Sequence, residues 1–204
     1  MNLPSTRPFV ISVQGPHAVG KSTLVRALAS HFEAEFRLET VAALEKLKVE
    51  ERLDLSRLDD FVANQRRFVT WETTRHQEFR PGELVFLDRG PDSTEFFCFA
   101  TPHVLGCSWN VEQVLREELL ALRAIRANVI LYLEADLEQL LSRATNDSRV
   151  RPTLRRWLEK YEPLARNWFY DDPRTRIIET SGLDQAAVLE KAIGVVGPLI
   201  FRTT

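Results

Sequence analysis

One segment near the N-terminus constrains the fold of this chain more than any other feature. Residues 15–22 read GPHAVGKS and fit the spacing G-x-x-x-x-G-K-[ST] at every fixed position. An apolar run at 9–13 precedes the segment, and an amphipathic pattern with Leu24, Val25 and Leu28 follows it. Glycines at these positions let successive backbone N–H groups turn toward one anion at the positive end of a helix. The segment therefore predicts a phosphate-binding loop between a buried strand and a helix.

The side chains of this loop predict a nucleotide and a metal ion. Lys21 is placed to reach the β- and γ-phosphates, and the Ser22 hydroxyl is a suitable ligand for Mg²⁺. We therefore expect ATP and Mg²⁺ as cofactors. The candidate cofactor-binding residues of the loop are Gly15, Pro16, His17, Ala18, Val19, Gly20, Lys21, Ser22 and Thr23. For His17, two interpretations stay open, a phosphate contact and a solvent-facing loop residue.

Strand-like and helical patterns alternate along the chain. We expect strands at 9–13, 35–38, 84–87, 129–133 and 175–178, and helices at 21–31, 41–53, 54–80, 111–126, 137–144, 153–170 and 183–200. This alternation favours an α/β fold, a three-layer P-loop NTPase fold whose five-stranded parallel sheet carries helices on both faces. The chain shows no repeat and no linker, so we expect a single domain over 1–204.

Composition excludes several classes of protein. The 204 residues contain 27 Lys and Arg against 29 Asp and Glu, a formal charge of −2, which argues against a protein that coats nucleic acid. Cys98 and Cys107 are too few and too isolated for a disulfide framework or a zinc site, so we expect buried thiols. Because the sequence has no apolar run of about 18 residues and no signal-peptide pattern, we expect a cytoplasmic protein that does not enter a membrane.

An acid and a base follow the most apolar strand of the chain. Asp88 and Arg89 come directly after the run Leu84 to Leu87. In open α/β sheets, ligands bind at the carboxyl ends of the strands. We therefore place Asp88 in the Mg²⁺ site and Arg89 at a phosphate, and we count both among the catalytic residues with Lys21.

The segment that begins at Asp88 carries a resemblance to a known family. Residues 88–94 read DRGPDST, which resembles the D-R-x-x-D-S-[ST] segment of thymidylate kinases and is similar to the D-R-G-x-x-D stretch of AAA-like P-loop kinases. The resemblance extends from Phe9 to about Ile193. It implies a P-loop kinase that transfers the γ-phosphoryl of MgATP to a small acceptor, with a nucleoside or nucleotide favoured.

The resemblance also bears on the acceptor side. Thymidylate kinases carry R-E-P-G-G after the second strand, whereas residues 36–40 here read FRLET, which argues against thymidylate as the acceptor. Glu39 lies where the resemblance to deoxynucleoside kinases implies the base. Whether Asp88 or Glu39 is the base, and whether the acceptor group is a hydroxyl or a phosphate, stays open. On the long helix, Gln65 or Arg75 is a candidate for reading the acceptor.

Two further segments are similar to parts of small P-loop kinases. Residues 143–156 contain five arginines and one acid, which is similar to the lid that closes over the nucleotide. The guanidinium groups of such a lid neutralise charge on the transferred phosphoryl group. The resemblance implies Arg149, Arg151 and Arg143 as catalytic residues, with Arg155 and Arg156 on the surface. The loop after the last strand is similar to the segment that backs adenine, and its candidate residues are Thr180, Ser181 and Gly182.

Other functions are less compatible with these motifs. A regulatory NTPase or a nucleotide-dependent binding module is the alternative, but Pro91 stands where D-x-x-G would require glycine, and no N-K-x-D occurs. A nucleic-acid-processing ATPase conflicts with the acidic balance of the chain. We therefore expect a small-molecule partner, with no nucleic acid and no membrane, and a homodimer is compatible with the sequence.

Overall fold

The computed structural model describes residues 6–39, 41–145 and 154–201 and contains five strands. They are β1 (Phe9–Gln14), β2 (Glu35–Arg37), β3 (Leu84–Asp88), β4 (Val129–Glu134) and β5 (Thr175–Glu179). They form one sheet in the order β2-β3-β1-β4-β5, and every neighbouring pair is parallel. The predicted five-stranded parallel sheet of a P-loop NTPase fold is therefore confirmed.

Helices connect the strands. They are α1 (Lys21–Phe32), α2 (Ala42–Glu50), α3 (Leu58–Gln77), α4 (Pro91–Leu105), α5 (Val111–Val114), α6 (Arg116–Ala124), α7 (Leu137–Thr145), α8 (Leu154–Tyr170) and α9 (Gln185–Phe201). None of the helices within the described ranges is long and apolar enough to cross a bilayer.

The largest differences from the predicted helices lie at three places, and α2 and α3 also end three residues before the predicted ends at 53 and 80. Helix α3 begins at Leu58 and not at Asp54, because the Asp54 carboxylate accepts hydrogen bonds from the N–H and hydroxyl of Ser56 and holds a turn there. The helix expected at 111–126 is two helices that are interrupted at Leu115 (φ −119°, ψ 28°). Helix α4 was not predicted at all, although Pro91 occupies its first turn as a typical helix start.

The chain divides into two compact units. The first contains the described residues up to Leu38, Arg80–Asp88 and the described residues from Asn128 onward, so it holds the sheet with α1, α7, α8 and α9. Its apolar core is built from the sheet with α1 and α9. The second contains Glu39–Phe79 and Arg89–Ala127, and therefore α2 to α6. That all of these residues act as one domain stays a prediction.

The core of the second unit includes one of the two cysteines. Phe61, Cys98, Leu115 and Leu119 are fully buried together, and Trp109 packs on Phe61 with ring centroids 5.1 Å apart. Burial raises the pKa of the Cys98 thiol far above its ordinary value, which keeps it protonated and unreactive. Both cysteines are free thiols, as the sequence predicts, but Cys107 is only partly buried.

Candidate functional site

The phosphate loop of the first unit depends on two glycines. Gly15 follows β1 with φ +129°, and a Cβ atom there would collide with the backbone carbonyl of Leu133 on β4. Gly20 caps α1 with φ +106°, a conformation that L side chains rarely adopt. The loop can therefore take its path between β1 and α1 only because glycine occupies both positions.

Lys21 is buried at the start of α1. Its ammonium donates hydrogen bonds to the backbone carbonyls of Pro16 at 2.7 Å and Gly15 at 3.1 Å. A buried cation held on its own loop lies beside the N–H groups of the α1 N-terminus, where an anion is favoured. Among the other predicted loop residues, Val19 is buried, whereas His17 and Thr23 are exposed.

Asp88 and Ser22 lie together at the carboxyl edge of the sheet. Asp88 pairs with Val13 in the register of β3 and β1, and the Ser22 hydroxyl donates a hydrogen bond to its Oδ2. The second oxygen, Oδ1, is buried and accepts no hydrogen bond from any residue that the structure describes. A hydroxyl and a carboxylate with an unused oxygen are donors that suit Mg²⁺, which keeps several waters and takes few protein ligands. These two residues therefore fit the metal that the sequence predicts.

The loop after β5 is tied to helix α7. The Arg143 guanidinium donates to the Thr180 carbonyl at 3.2 Å and to its hydroxyl at 3.4 Å. The amide of Gly182 donates to Gln139 on the same helix, and the Ser181 hydroxyl accepts from the amide of Asp136. The structure thus brings Arg143 to the predicted adenine loop. The polar groups of Thr180, Ser181 and Gly182 in this loop already form hydrogen bonds within the first unit.

The structure describes only part of the rest of the predicted lid. Arg149 and Arg151 lie outside the described residues. Arg155 and Arg156 lie in the first turn of α8. The part that these four arginines play in a lid therefore stays a prediction.

Two carboxylates of the first unit were missed by sequence reasoning. Glu162 on α8 accepts a hydrogen bond from the Tyr132 hydroxyl at 3.0 Å, and Glu134 at the end of β4 pairs with Arg166 at 3.2 Å. Burial raises the pKa of both carboxyl groups, and at Glu162 the effect is partly offset by the hydrogen bond from Tyr132 and by the charges of Arg166 and Lys21. Glu134 follows a buried strand as Asp88 does, and this position could have identified it. Nothing in the sequence distinguishes Glu162 from other helical glutamates.

In the second unit, Glu39 and Arg89 form an ion pair. The Arg89 Nε lies 3.1 Å from the Glu39 carboxylate, and its Nη1 donates to the Ser93 hydroxyl at 3.3 Å. Arg89 has φ +64°, and Gly90 follows with φ +127°, so the chain turns sharply before α4. This turn aims the buried Arg89 side chain at Glu39, and the structure therefore brings together two residues that the sequence predicted on independent grounds.

A second ion pair, between Glu72 and Arg75 of α3, lies in the same unit. Their charged groups are 2.7 Å apart, and both side chains are almost completely buried. The Thr94 hydroxyl lies 3.5 Å from the Glu72 carboxylate, and Trp71 packs against the Arg75 guanidinium. Arg75 was a sequence candidate, but Glu72 was missed, although its spacing of three residues from Arg75 on a helix could have indicated the pair.

Burial of Glu72 predicts a pH-dependent stability. Loss of solvation, only partly offset by Arg75, raises the pKa of Glu72 to about 7 from an ordinary value of 4.5. The folded protein therefore holds a proton that the unfolded chain releases between these pH values, and stability falls as pH rises through this range. Between pH 4.5 and 8, we expect the free energy of unfolding of the wild type to fall by up to about 3 kcal/mol more than that of Glu72→Gln. Urea unfolding of both proteins at the two pH values measures this difference, and an equal decrease in their free energies of unfolding would contradict the prediction.

The first turns of α4 are anchored by two buried carboxylates. Asp92 accepts a hydrogen bond from the backbone N–H of Ala127 at 3.0 Å. Glu95 accepts from Arg123 at 2.8 Å and from Arg126 at 2.9 Å. Because the turn at Arg89 leads directly into this anchored helix, the three contacts restrict the position of the Arg89 backbone.

Comparisons with known proteins agree with this architecture. Deoxyadenosine kinase from M. mycoides with bound dCTP matches with a TM-score of 0.70 at 14% identity, over 93% of this chain and 99% of that one. The same enzyme with bound dATP matches with a TM-score of 0.64 at 16% identity, over 92% and 99%. Thymidylate kinase from Candida albicans matches with a TM-score of 0.60 at 18% identity, over 94% and 92%. At these identities the likeness shows the fold.

The family itself is shown by the sequence. A search of curated proteins gives no significant match. The family model described as "AAA domain" matches residues 10–168, which is 159 of the 204 residues and includes the phosphate loop and the Asp88 segment. The resemblance to AAA-like P-loop proteins is thereby confirmed, and the chain belongs to this AAA-domain family of P-loop proteins.

Proposed function

We propose that the protein is an ATP-dependent phosphotransferase that moves the γ-phosphoryl of MgATP to a small acceptor, a nucleoside or a nucleotide. The observation that carries the proposal is the different pairing of two consecutive residues. Asp88 contacts Ser22 of the phosphate loop, whereas Arg89 pairs with Glu39 in the second unit. A nucleotide-binding module needs the first contact alone, while a kinase also needs polar groups for an acceptor.

Each residue has a defined part in this proposal. Ser22 and Asp88 would hold Mg²⁺, which when bound neutralises charge on the β- and γ-phosphate oxygens. Lys21 would exchange its loop carbonyls for these oxygens, and Arg149 and Arg151 would stabilise charge on the transferred group. Arg143 would take part only by exchanging its contacts with Thr180 for that group. Glu39 or Asp88 would accept a proton if the acceptor is an alcohol. Thr180, Ser181 and Gly182 would lie against the adenine ring.

A transfer screen tests this function. The protein is incubated with MgATP and a panel of nucleosides, nucleoside monophosphates and small alcohols, and the products are separated by chromatography. We expect ADP to form in equal amount with one phosphorylated acceptor. ATP hydrolysis at a rate that no panel member changes would contradict the proposal and favour a regulatory NTPase.

Asp88→Asn should weaken Mg²⁺ binding, so that activity requires a higher Mg²⁺ concentration. The variant keeps the shape of the side chain but removes the charge next to the cation, so we expect the Mg²⁺ concentration for half-maximal activity to rise about tenfold. Asp171→Asn removes an exposed acid of the same unit and serves as the control. If the two variants titrate alike, Asp88 does not hold the metal.

Replacing both Arg149 and Arg151 by Ala should lower kcat by about 10²-fold or more, with much less effect on ATP affinity. Their expected partner is charge that develops during transfer, so the loss falls on the rate. The double variant Arg155→Ala/Arg156→Ala is the matched control, and it should retain most activity. A larger loss in the control would show that the lid arginines are wrongly assigned.

A further inference from the structure

We infer that the acceptor presents a neutral hydroxyl group to be phosphorylated, and not a phosphate monoester. The inference rests on the proposed function and chooses between the two acceptor classes that the sequence leaves open. It comes from the charge pairing inside the second unit.

The buried cations of the second unit are each paired with a carboxylate. Within its described residues, these cations are Arg75 and Arg89. Arg75 lies 2.7 Å from Glu72, and Arg89 lies 3.1 Å from Glu39. Two guanidinium groups and two carboxylates leave this cluster without net charge when all four groups are ionised.

Two nearby hydroxyl groups also contact the charged groups. The Ser93 hydroxyl accepts a hydrogen bond from Arg89, and the Thr94 hydroxyl donates to Glu72. Because burial and the nearby Glu39 carboxylate both raise the pKa of Glu72, the cluster already disfavours further negative charge. A phosphate monoester would add up to two negative charges to a site of this kind.

Guanidinium groups that are free to form bidentate hydrogen bonds are the side chains best suited to bind a phosphate monoester. Arg75 can turn to a phosphate only by leaving Glu72 as a buried carboxylate without its partner, which is strongly unfavourable. An alcohol is neutral, so it can bind without separating either of the two ion pairs.

The cluster also offers a group that can receive the proton of an alcohol. The Glu39 side chain is 30% exposed, whereas those of Glu72, Arg75 and Arg89 are 8% exposed or less. In the transfer, the O–H bond of the acceptor breaks and its proton passes to Glu39. The acceptor oxygen forms the new bond to the γ-phosphorus, and the bond to the bridging oxygen breaks with its electron pair leaving on ADP. Atoms and charge balance without another reactant.

Matched ligand pairs test the inference. Each nucleoside is compared with its own 5′-monophosphate as the acceptor in MgATP reactions at pH 8, where Glu72 is ionised. We expect kcat/KM to be at least about 10²-fold higher for the nucleosides, since juxtaposed like charges are strongly disfavoured. Transfer to monophosphates with equal or higher kcat/KM would overturn the inference and leave the proposed function standing. Transfer to neither class, with ATP binding intact, would overturn both.

A charge-removing variant tests the assigned cause. Glu72→Gln leaves Arg75 without its anionic partner, so inhibition by the monophosphates should strengthen at least about tenfold relative to the nucleosides. Glu51→Gln removes an exposed carboxylate that pairs with Arg67 in the same unit and should leave this ratio unchanged. If Glu72→Gln does not fold, Glu39→Gln takes its place, and it should lose transfer while binding monophosphates more tightly. An unchanged inhibition ratio in Glu72→Gln, or unchanged relative binding of monophosphates and nucleosides in Glu39→Gln, would overturn the inference.

Discussion

Lys21→Met lowers phosphoryl transfer by at least about 10³-fold in kcat, while the protein stays folded. The ammonium of Lys21 is buried on the phosphate loop, where it donates to the carbonyls of Gly15 and Pro16. In the proposed reaction it supplies a positive charge to the β- and γ-phosphate oxygens, and water cannot replace that charge in a closed site. Methionine fills a similar volume without donors, so the change removes the charge and little else.

The measurement is single-turnover transfer by purified Lys21→Met beside wild type, with thermal unfolding as the check on folding. Lys46→Met is the matched control, because Lys46 is an exposed lysine of α2 that pairs with Glu50 on the surface. We expect this control to retain full activity. Near-normal turnover by a folded Lys21→Met protein would remove the basis for the kinase proposal.

Gly15→Ala destabilises the protein by about 3 kcal/mol or more, because it combines a steric clash with backbone strain. An alanine Cβ would collide with the backbone carbonyl of Leu133, and β4, which is paired with a strand on each side, cannot shift as a flexible side chain can. The φ of +129° adds the cost of a conformation that alanine rarely adopts.

Gly20→Ala separates the two causes. Gly20 has φ +106°, but a Cβ there would meet no atom within 4 Å. We therefore expect a smaller loss, about 1–2 kcal/mol, from backbone strain alone. Urea unfolding of both variants gives the comparison, and a loss in Gly20→Ala as large as in Gly15→Ala would contradict the steric explanation.

Much of the fold could be predicted because local patterns determine it. The apolar runs of β3 and β4 indicate strands buried in a parallel sheet, and the GPHAVGKS spacing places the loop between β1 and α1. Helix α4 could not be recognised by periodicity, because it is buried on most sides and has no single apolar face. The break at Leu115 was equally hidden, since the residues on each side are good helix formers.

The candidate site shows the limit of sequence reasoning more clearly. Asp88 could be identified because it lies at the end of a buried strand, where parallel sheets bind ligands, and Glu39 through the resemblance to deoxynucleoside kinases. Glu162 could not, because its importance comes from burial and from its contact with Tyr132 on another element. Glu72 was missed, although its spacing from Arg75 on the same helix could have indicated the pair. The pairing of Arg89 with Glu39 joins residues fifty positions apart, and no local pattern specifies such a contact.

The most direct test of the central claim follows the γ-phosphoryl group itself. ATP labelled at the γ-phosphorus is supplied with Mg²⁺ and the acceptor that the screen identifies, and the distribution of the label is measured as ADP forms. The account predicts that the label appears on the acceptor hydroxyl in equal amount with ADP, and that Lys21→Met abolishes it. Label that appears only as inorganic phosphate, at a rate independent of the acceptor, would contradict the account.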